Sequence, residues 1–203
     1  MERREGRPSA PRNDMPVLCG QKVTLRPKRA ADAFTDYTWR RDPELSRLDA
    51  ASPLVASYQD YLANYLDEVN YVDPRKLRYA IEVEGVHVGN CVLFNLDLDR
   101  AETEMGIMIG DRRYWNQGYG SDAIWALVNH AFAHFGLRRV YLYTLEWNIR
   151  AQKCFQKCGF KACERVRHEG STFIIMEVLR NEWEERRSKF AVAPQEEPGT
   201  SET

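Results

Sequence analysis

A single α/β domain on a mixed sheet is the fold this sequence predicts, and three observations carry the prediction. Between Tyr79 and Ile109, apolar and polar residues alternate in three short runs separated by turn residues, the mark of an antiparallel meander. From Ala123 to Phe135, apolar residues recur at helical spacing along one face. Val140 to Leu145 is then apolar on both faces, as expected of a central strand covered from two sides. A strand, helix, strand order after a meander implies a parallel, right-handed crossover following the antiparallel part, with helices on both faces of the sheet.

The elements follow in order. Lys22 to Arg26 alternates briefly and stops at Pro27, which suits a first strand. Phe34 and Tyr37 share a face of a helix over Ala33 to Arg41, and Pro43 ends that pattern. Tyr58, Tyr61, Leu62, Tyr65 and Leu66 make the stripe of a second helix behind Ser57, a good N-cap. The meander comprises Tyr79 to Val83, Val86 to Leu96 and Thr103 to Ile109, with turns at Glu84-Gly85 and at Asp97 to Arg100. Gly136 stops the long helix. Ala151, Cys154, Phe155 and Cys158 mark a further helix closed by Gly159, and strands at Phe160 to Val166 and Thr172 to Leu179 flank a turn at His168 to Ser171. No linker or repeat interrupts this run, so we expect one domain over residues 18–190 between polar, flexible tails at 1–17 and 191–203.

Composition excludes several functions. Over 203 residues, 29 basic and 30 acidic side chains leave a formal charge of -1, without the cationic excess that nucleic-acid backbones attract. No apolar run approaches the ~20 residues that span a bilayer. Arg3, Arg4, Arg7 and Arg12 are followed by Pro8, Asn13 and Asp14 in place of a signal-peptide core, so the expected location is the cytosol. Five cysteines with no CxxC pair suit reduced thiols better than a disulfide or zinc framework. His130 and His134 are spaced as a metal pair but lack a metalloprotease glutamate and an evident third ligand, so no metal is expected.

The segment that carries chemistry is Gly110 to Ser121, GDRRYWNQGYGS, between a strand end and the long helix. Its glycines let backbone amides approach an anion at a helix N-terminus, where a diphosphate would fit and where Arg112 and Arg113 could reinforce binding. A solvated strand-to-helix turn would look the same in isolation. The segment has company, however. WNQGYG (Trp115 to Gly120) is similar to the pattern Q/RxxGxG/A, with Trp115 at the first position, and NIRAQKCFQKCGF (Asn148 to Phe160) is similar to NxRAxxxYxKxGF. Together they resemble the GNAT superfamily of acetyl-CoA-dependent N-acetyltransferases, most closely in look the ribosomal-protein-alanine acetyltransferase branch. The resemblance covers roughly Val23 to Leu179.

This resemblance implies an enzyme that moves an acetyl group from acetyl-CoA directly to an amine on a peptide N-terminus or a small molecule. It implies that Ile107, Met108 and Ile109 lie along the pantetheine arm, that Asn116, Gln117, Gly118, Tyr119, Gly120 and Ser121 hold the pyrophosphate, and that Asn148 faces the cofactor. Asparagine there also suits a helix N-cap. Glu104 stands near where the family places a glutamate base, with Glu102 on the same strand face and Asp49 as weaker candidates. Phe155 occupies the place of a tyrosine that protonates the departing thiolate. Tyr141, Tyr143, water or an unassisted thiolate must then serve, and a catalytically silent acetyl-CoA-binding or regulatory module is the alternative. Expected partners are acetyl-CoA and the amine-bearing acceptor, not nucleic acid or membrane; a homodimer is left open.

Overall fold

Alternation along the chain becomes an eight-stranded sheet ordered β1-β2-β3-β4-β5-β6-β8-β7 in the computed structural model, which describes residues 15–71 and 73–191. Its elements are β1 (Leu18–Cys19), β2 (Thr24–Pro27), α1 (Ala33–Arg41), α2 (Pro43–Leu48), α3 (Tyr58–Asn70), β3 (Leu77–Val83), β4 (Val86–Asp97), β5 (Glu102–Ile109), α4 (Tyr119–Phe135), β6 (Arg139–Leu145), α5 (Ile149–Lys157), β7 (Lys161–His168), β8 (Ser171–Leu179) and α6 (Arg180–Ala191). The expected tails fall almost wholly outside the described residues.

All strand pairs are antiparallel except β5 with β6, so the mixed sheet and the crossover through α4 stand as the sequence implied. One sheet face is apolar. Leu25, Ile81, Leu93, Met105, Val140 and Leu142 pack there against Ala123, Ile124, Leu127, Val128 and Ala131 of α4, and all belong to one buried cluster. Removing that area from water is the main source of stability.

The opposite face, under α1 and α3, is ionic. Arg26 donates to both oxygens of Asp32 at 2.7 Å and to Glu82 at 2.6 Å, while Lys28 pairs with Asp36 at 2.5 Å. The Asn90 amide donates to Asp36 at 2.6 Å, and the Tyr65 hydroxyl donates to the Arg29 carbonyl at 3.2 Å. These contacts seat α1 and α3 on the strands that lead to β5.

Three elements go beyond the sequence reading. Pro43 does end α1, but it also starts α2: Asp42 caps the new helix, its Oδ1 accepting from the amides of Glu44 and Leu45 at 3.0 Å, and proline suits a first helical position because its missing N–H has no intrahelical partner to lose. The two-residue β1 is too short to show periodicity. After β8 the chain adds α6, whose Trp183 is 1% exposed and packs on Trp125 of α4 at a centroid distance of 3.9 Å, the rings tilted by 37°.

Candidate active site

β5 and β6 are partners for three pairs alone, Glu102 with Arg139, Thr103 with Val140 and Glu104 with Tyr141. Beyond Glu104, β5 stays with β4 as far as Ile109, and β6 stays with β8 as far as Leu145. No further pair joins the two strands among the described residues, so they part. A cleft of about 450 Å³ lies along the parted end, lined by Ile107, Met108 and Ile109 of β5 and by Asn148, Ala151 and Phe155 beyond β6. Open α/β sheets bind ligands at such strand ends.

The loop from β5 to α4 forms the next wall. An added Cβ on Gly110 would fall 2.1 Å from the Trp39 ring, so glycine lets α1 press against the loop's first residue. Trp115 then braces the loop: its Nε1 donates to the Ile109 carbonyl at 2.7 Å, and the Arg150 guanidinium lies 3.7 Å from its ring centroid. Asn116 and Gly118 have φ of 59° and 86°, left-handed values that turn the chain into α4. Gly118 occupies the cap position without a side chain, leaving the first amides of the helix without a cap ligand. A Cβ on Gly120 would meet Ile109 and Cys154 only at ordinary contact distances, 3.7 and 3.9 Å, so its bare face belongs to the cleft.

Charge suits an anion at this end. Arg150, Lys153 and Lys157 line the cleft from one side of α5, and Lys22 Nζ donates to the Gln117 carbonyl at 3.1 Å. The sequence counts Arg150 and Lys157 only as positions of the NxRAxxxYxKxGF pattern and assigns no charge to the anion from them or from Lys22 and Lys153, although Arg150, Lys153 and Lys157 lie at the spacing of one helix face. Arg112 and Arg113, which the sequence pointed to, are engaged elsewhere: Arg112 pairs with Asp42 and Glu44 of α2, and Arg113 with Asp111. Leu45 and Leu48 of α2 also line the cleft, a wall hidden by reading Pro43 as a stop alone.

Of the residues the sequence singled out for a cofactor, Ile107, Met108, Ile109, Asn116, Gly118, Gly120, Ser121 and Asn148 come together around the cleft. Gln117 and Tyr119 are not among its lining residues; the Gln117 amide donates to the Arg113 carbonyl, and the Tyr119 ring packs on Tyr114. Asn148 also caps α5, its Oδ1 accepting from the Ala151 amide at 3.2 Å. Phe155 is 8% exposed, packs near Phe160 at 5.9 Å between centroids and still touches the cleft, so core packing and cleft wall are one position.

Glu104 sits at the fork, in the last pair before the strands part, on the sheet face opposite Met105. It is half-buried. Burial raises its carboxyl above the usual carboxylate range against the opposing hydrogen bond from Asn95 at 3.0 Å. Glu102 is held by Arg139 at 2.9 Å, and Asp49 lines the cleft with Arg40 at 3.2 Å. Among the described residues, no group of three His, Cys, Asp or Glu side chains could hold a metal ion, and no helix is long and apolar enough to cross a membrane.

The family model of the acetyltransferase (GNAT) domain matches residues 22–161, which runs from before β2 through the whole cleft. The chain belongs to the GNAT acetyltransferase family. This GNAT domain is 26% identical over 184 residues to the human alpha/beta-tubulin-N-acetyltransferase 9, covering 84% of this chain and 88% of that protein. It is 24% identical over 130 residues to the uncharacterized N-acetyltransferase p20 of Bacillus licheniformis, covering 62% of this chain and 71% of that one. Among solved structures, the spermidine N-acetyltransferase of Vibrio cholerae in complex with CoA and spermine superposes with a TM-score of 0.71 at 16% identity, covering 80% of this chain and 98% of that chain.

Proposed function

We propose that this GNAT domain is an acetyl-CoA-dependent N-acetyltransferase acting in the cytosol on an amine, either a peptide N-terminus, as in the ribosomal-protein-alanine branch, or a small-molecule amine. The observation that carries the reading is the parting of β5 and β6 beside an uncapped helix N-terminus. A free strand edge can pair with the amides of a pantetheine arm, and unpaired helix amides suit a diphosphate. CoA and an amine occupy the Vibrio cholerae relative, which supports the same pair of substrates here.

In this reading the backbone of Gly106 to Ile109 aligns the arm, Asn116 to Ser121 receive the diphosphate, and Lys22, Arg150, Lys153 and Lys157 offset its charge. Acetyl-CoA supplies the acyl group as a thioester. The acceptor amine must lose its proton before it can attack, and Glu104 at the fork accepts that proton through water; a carboxyl held above its usual range is better matched to that task. Phe155 shapes the wall and donates nothing. A thiol pKa of ~8.5 lets the thiolate depart with water as the eventual proton source.

Calorimetry with acetyl-CoA and a thiol-release screen against peptides, polyamines and aminoglycosides test this. We expect binding, thiol release with one acceptor class, and loss of binding in a folded Gly118→Asp variant, whose carboxylate would stand where the diphosphate approaches. Unchanged affinity in that variant would remove the diphosphate site. Binding with no release for any amine would leave an acetyl-CoA-binding module.

A further inference from the structure

Acyl transfer makes no use of two thiols at the cleft, one in its wall and one behind it. Cys154 lines the cleft, and Cys158, one turn later on the same side of the helical segment, is fully buried. They meet Ser121 of α4: its hydroxyl is 3.4 Å from Cys154 Sγ, and Cys158 Sγ donates to its carbonyl at 3.7 Å. Cys154 Sγ also lies 3.9 Å from where a Cβ on Gly120 would be, so the thiol borders the bare glycine face of the anion-binding loop. Around it α5 presents Arg150, Lys153 and Lys157. The other cysteines differ: Cys91 is buried, while Cys19 and Cys163 are exposed away from the cleft lining.

We propose that Cys154 is a thiol-modification site that forms a mixed disulfide with an anionic low-molecular-weight disulfide, and that the adduct keeps acetyl-CoA out of the cleft. The Cys154 thiolate attacks one sulfur of the disulfide. The S–S bond of the reagent breaks, a bond from Cys154 to one half forms, and the other half leaves as a thiolate that takes a proton from water. Cys154 is oxidised and the departing half reduced, so no further oxidant is needed.

Geometry selects Cys154 over its neighbour. Cys154 lines the cleft beside Arg150, Lys153 and Lys157, whose positive charge favours a thiolate there, whereas Cys158 is fully buried. Cys158 Sγ donates to the Ser121 carbonyl and lies out of reach of a reagent in the cleft. The α5 cations and the helix N-terminus favour a negatively charged reagent. Glutathione disulfide and the disulfide of CoA share that chemistry. The second half of the proposal rests on the acetyl-CoA reading of the cleft; the first does not.

The test uses the reduced full chain carrying Cys19→Ser and Cys163→Ser, treated at low salt with glutathione disulfide, CoA disulfide or cationic cystamine, and read by intact mass and peptide mapping. One adduct on Cys154 is expected, forming about tenfold or more faster with either anionic disulfide than with cystamine. Adding Cys154→Ser should abolish it. Preference for CoA disulfide over glutathione disulfide would assign recognition to the nucleotide half, and equal rates to charge alone; either supports the site. Adduct at Cys158, no adduct, or equal rates with cystamine overturns it. Calorimetry on the modified protein should show acetyl-CoA affinity lost and restored by dithiothreitol; unchanged affinity overturns the exclusion. Should the unmodified chain fail to bind acetyl-CoA while Cys154 still reacts, the functional reading fails and the thiol site stands.

Discussion

The two faces of the sheet hold their helices by opposite means. Against one face α4 lays an apolar stripe, with Leu127 and Val128 fully buried among Ile81, Leu93 and Val140. Against the other, α1 is seated by charge: Arg26, Lys28, Asp32 and Asp36 are all buried at least nine-tenths at the side chain and satisfied by one another. An apolar face tolerates small misfits in proportion to area lost, whereas a buried ion left without its partner has no fallback. The ionic face is also the one that carries Glu104, so the proposed base stands where the sheet is already polar.

The sharpest way to break this contrast is Asp32→Ala, which takes the two-pronged partner from the buried Arg26 guanidinium and leaves it Glu82 alone, and should cost about 3 kcal/mol at neutral pH, read from urea unfolding. Burial pushes the Asp32 carboxyl up, but hydrogen bonds from Arg26 and the Arg29 amide outweigh it and hold the group below its usual range. A carboxylate depressed in the fold contributes stability above its unfolded value and loses it as the pH falls through the folded one. The cost of Asp32→Ala should therefore shrink below about pH 4. Leu127→Ala, on the apolar face, should cost about 3 kcal/mol at either pH. A Leu127 loss that tracked pH, or an Asp32 loss that did not, would erase the distinction.

Glu104→Gln gives the smallest change in stability and opposes the Asp32 case in sign. Glu104 has Asn95 but no cation, and burial raises its folded value, so it stabilises the fold below its unfolded pKa and loses that contribution as the pH rises through the folded one. Replacing it should raise the melting temperature at pH 7 by roughly 1–2 °C, with no gain below about pH 4. Under the base assignment, turnover at pH 7 should fall about 10²-fold with acetyl-CoA binding intact. Wild-type turnover at that pH would move the base to Asp49 or Glu102.

The same contrast sets what could be read in the sequence. The meander, α3, α4 and α5 announce themselves because apolar burial repeats with the period of the element. Arg26, Lys28, Asp32, Asp36 and Asn90 have no such signature: each looks solvent-facing until strand pairing places Arg26 beside Ala80 and Ala80 beside Asn90. Within the cleft, the loop glycines and Asn148 are legible because backbone demands at a strand-to-helix junction are local. Leu45 and Leu48 are not, since Asp42-Pro43 reads equally as an end and as a capped beginning. Trp115 stands between. Its departure from the pattern is plain in the sequence, but its bond to the Ile109 carbonyl and its stacking with Arg150 require a turn of known shape.

Asp122, in the first turn of α4, accepts hydrogen bonds from the amides of Gln21, Lys22 and Val23 at 2.9, 2.7 and 2.9 Å, and Gly20 is bare where a side chain would strike that carboxylate. The turn before β2 is thus moored about a hundred residues downstream, as the sequence separations of 99 to 101 record. On the ribosome, β2 emerges long before its mooring exists, and the loop bordered by Lys22 cannot settle until both ends have met. Loop-closure entropy is met late, by the step that also settles the turn into α4. The entry to β2 and the turn into α4 are therefore ordered together, and a nascent chain halted before α4 would carry the meander with the turn before β2 still unmoored.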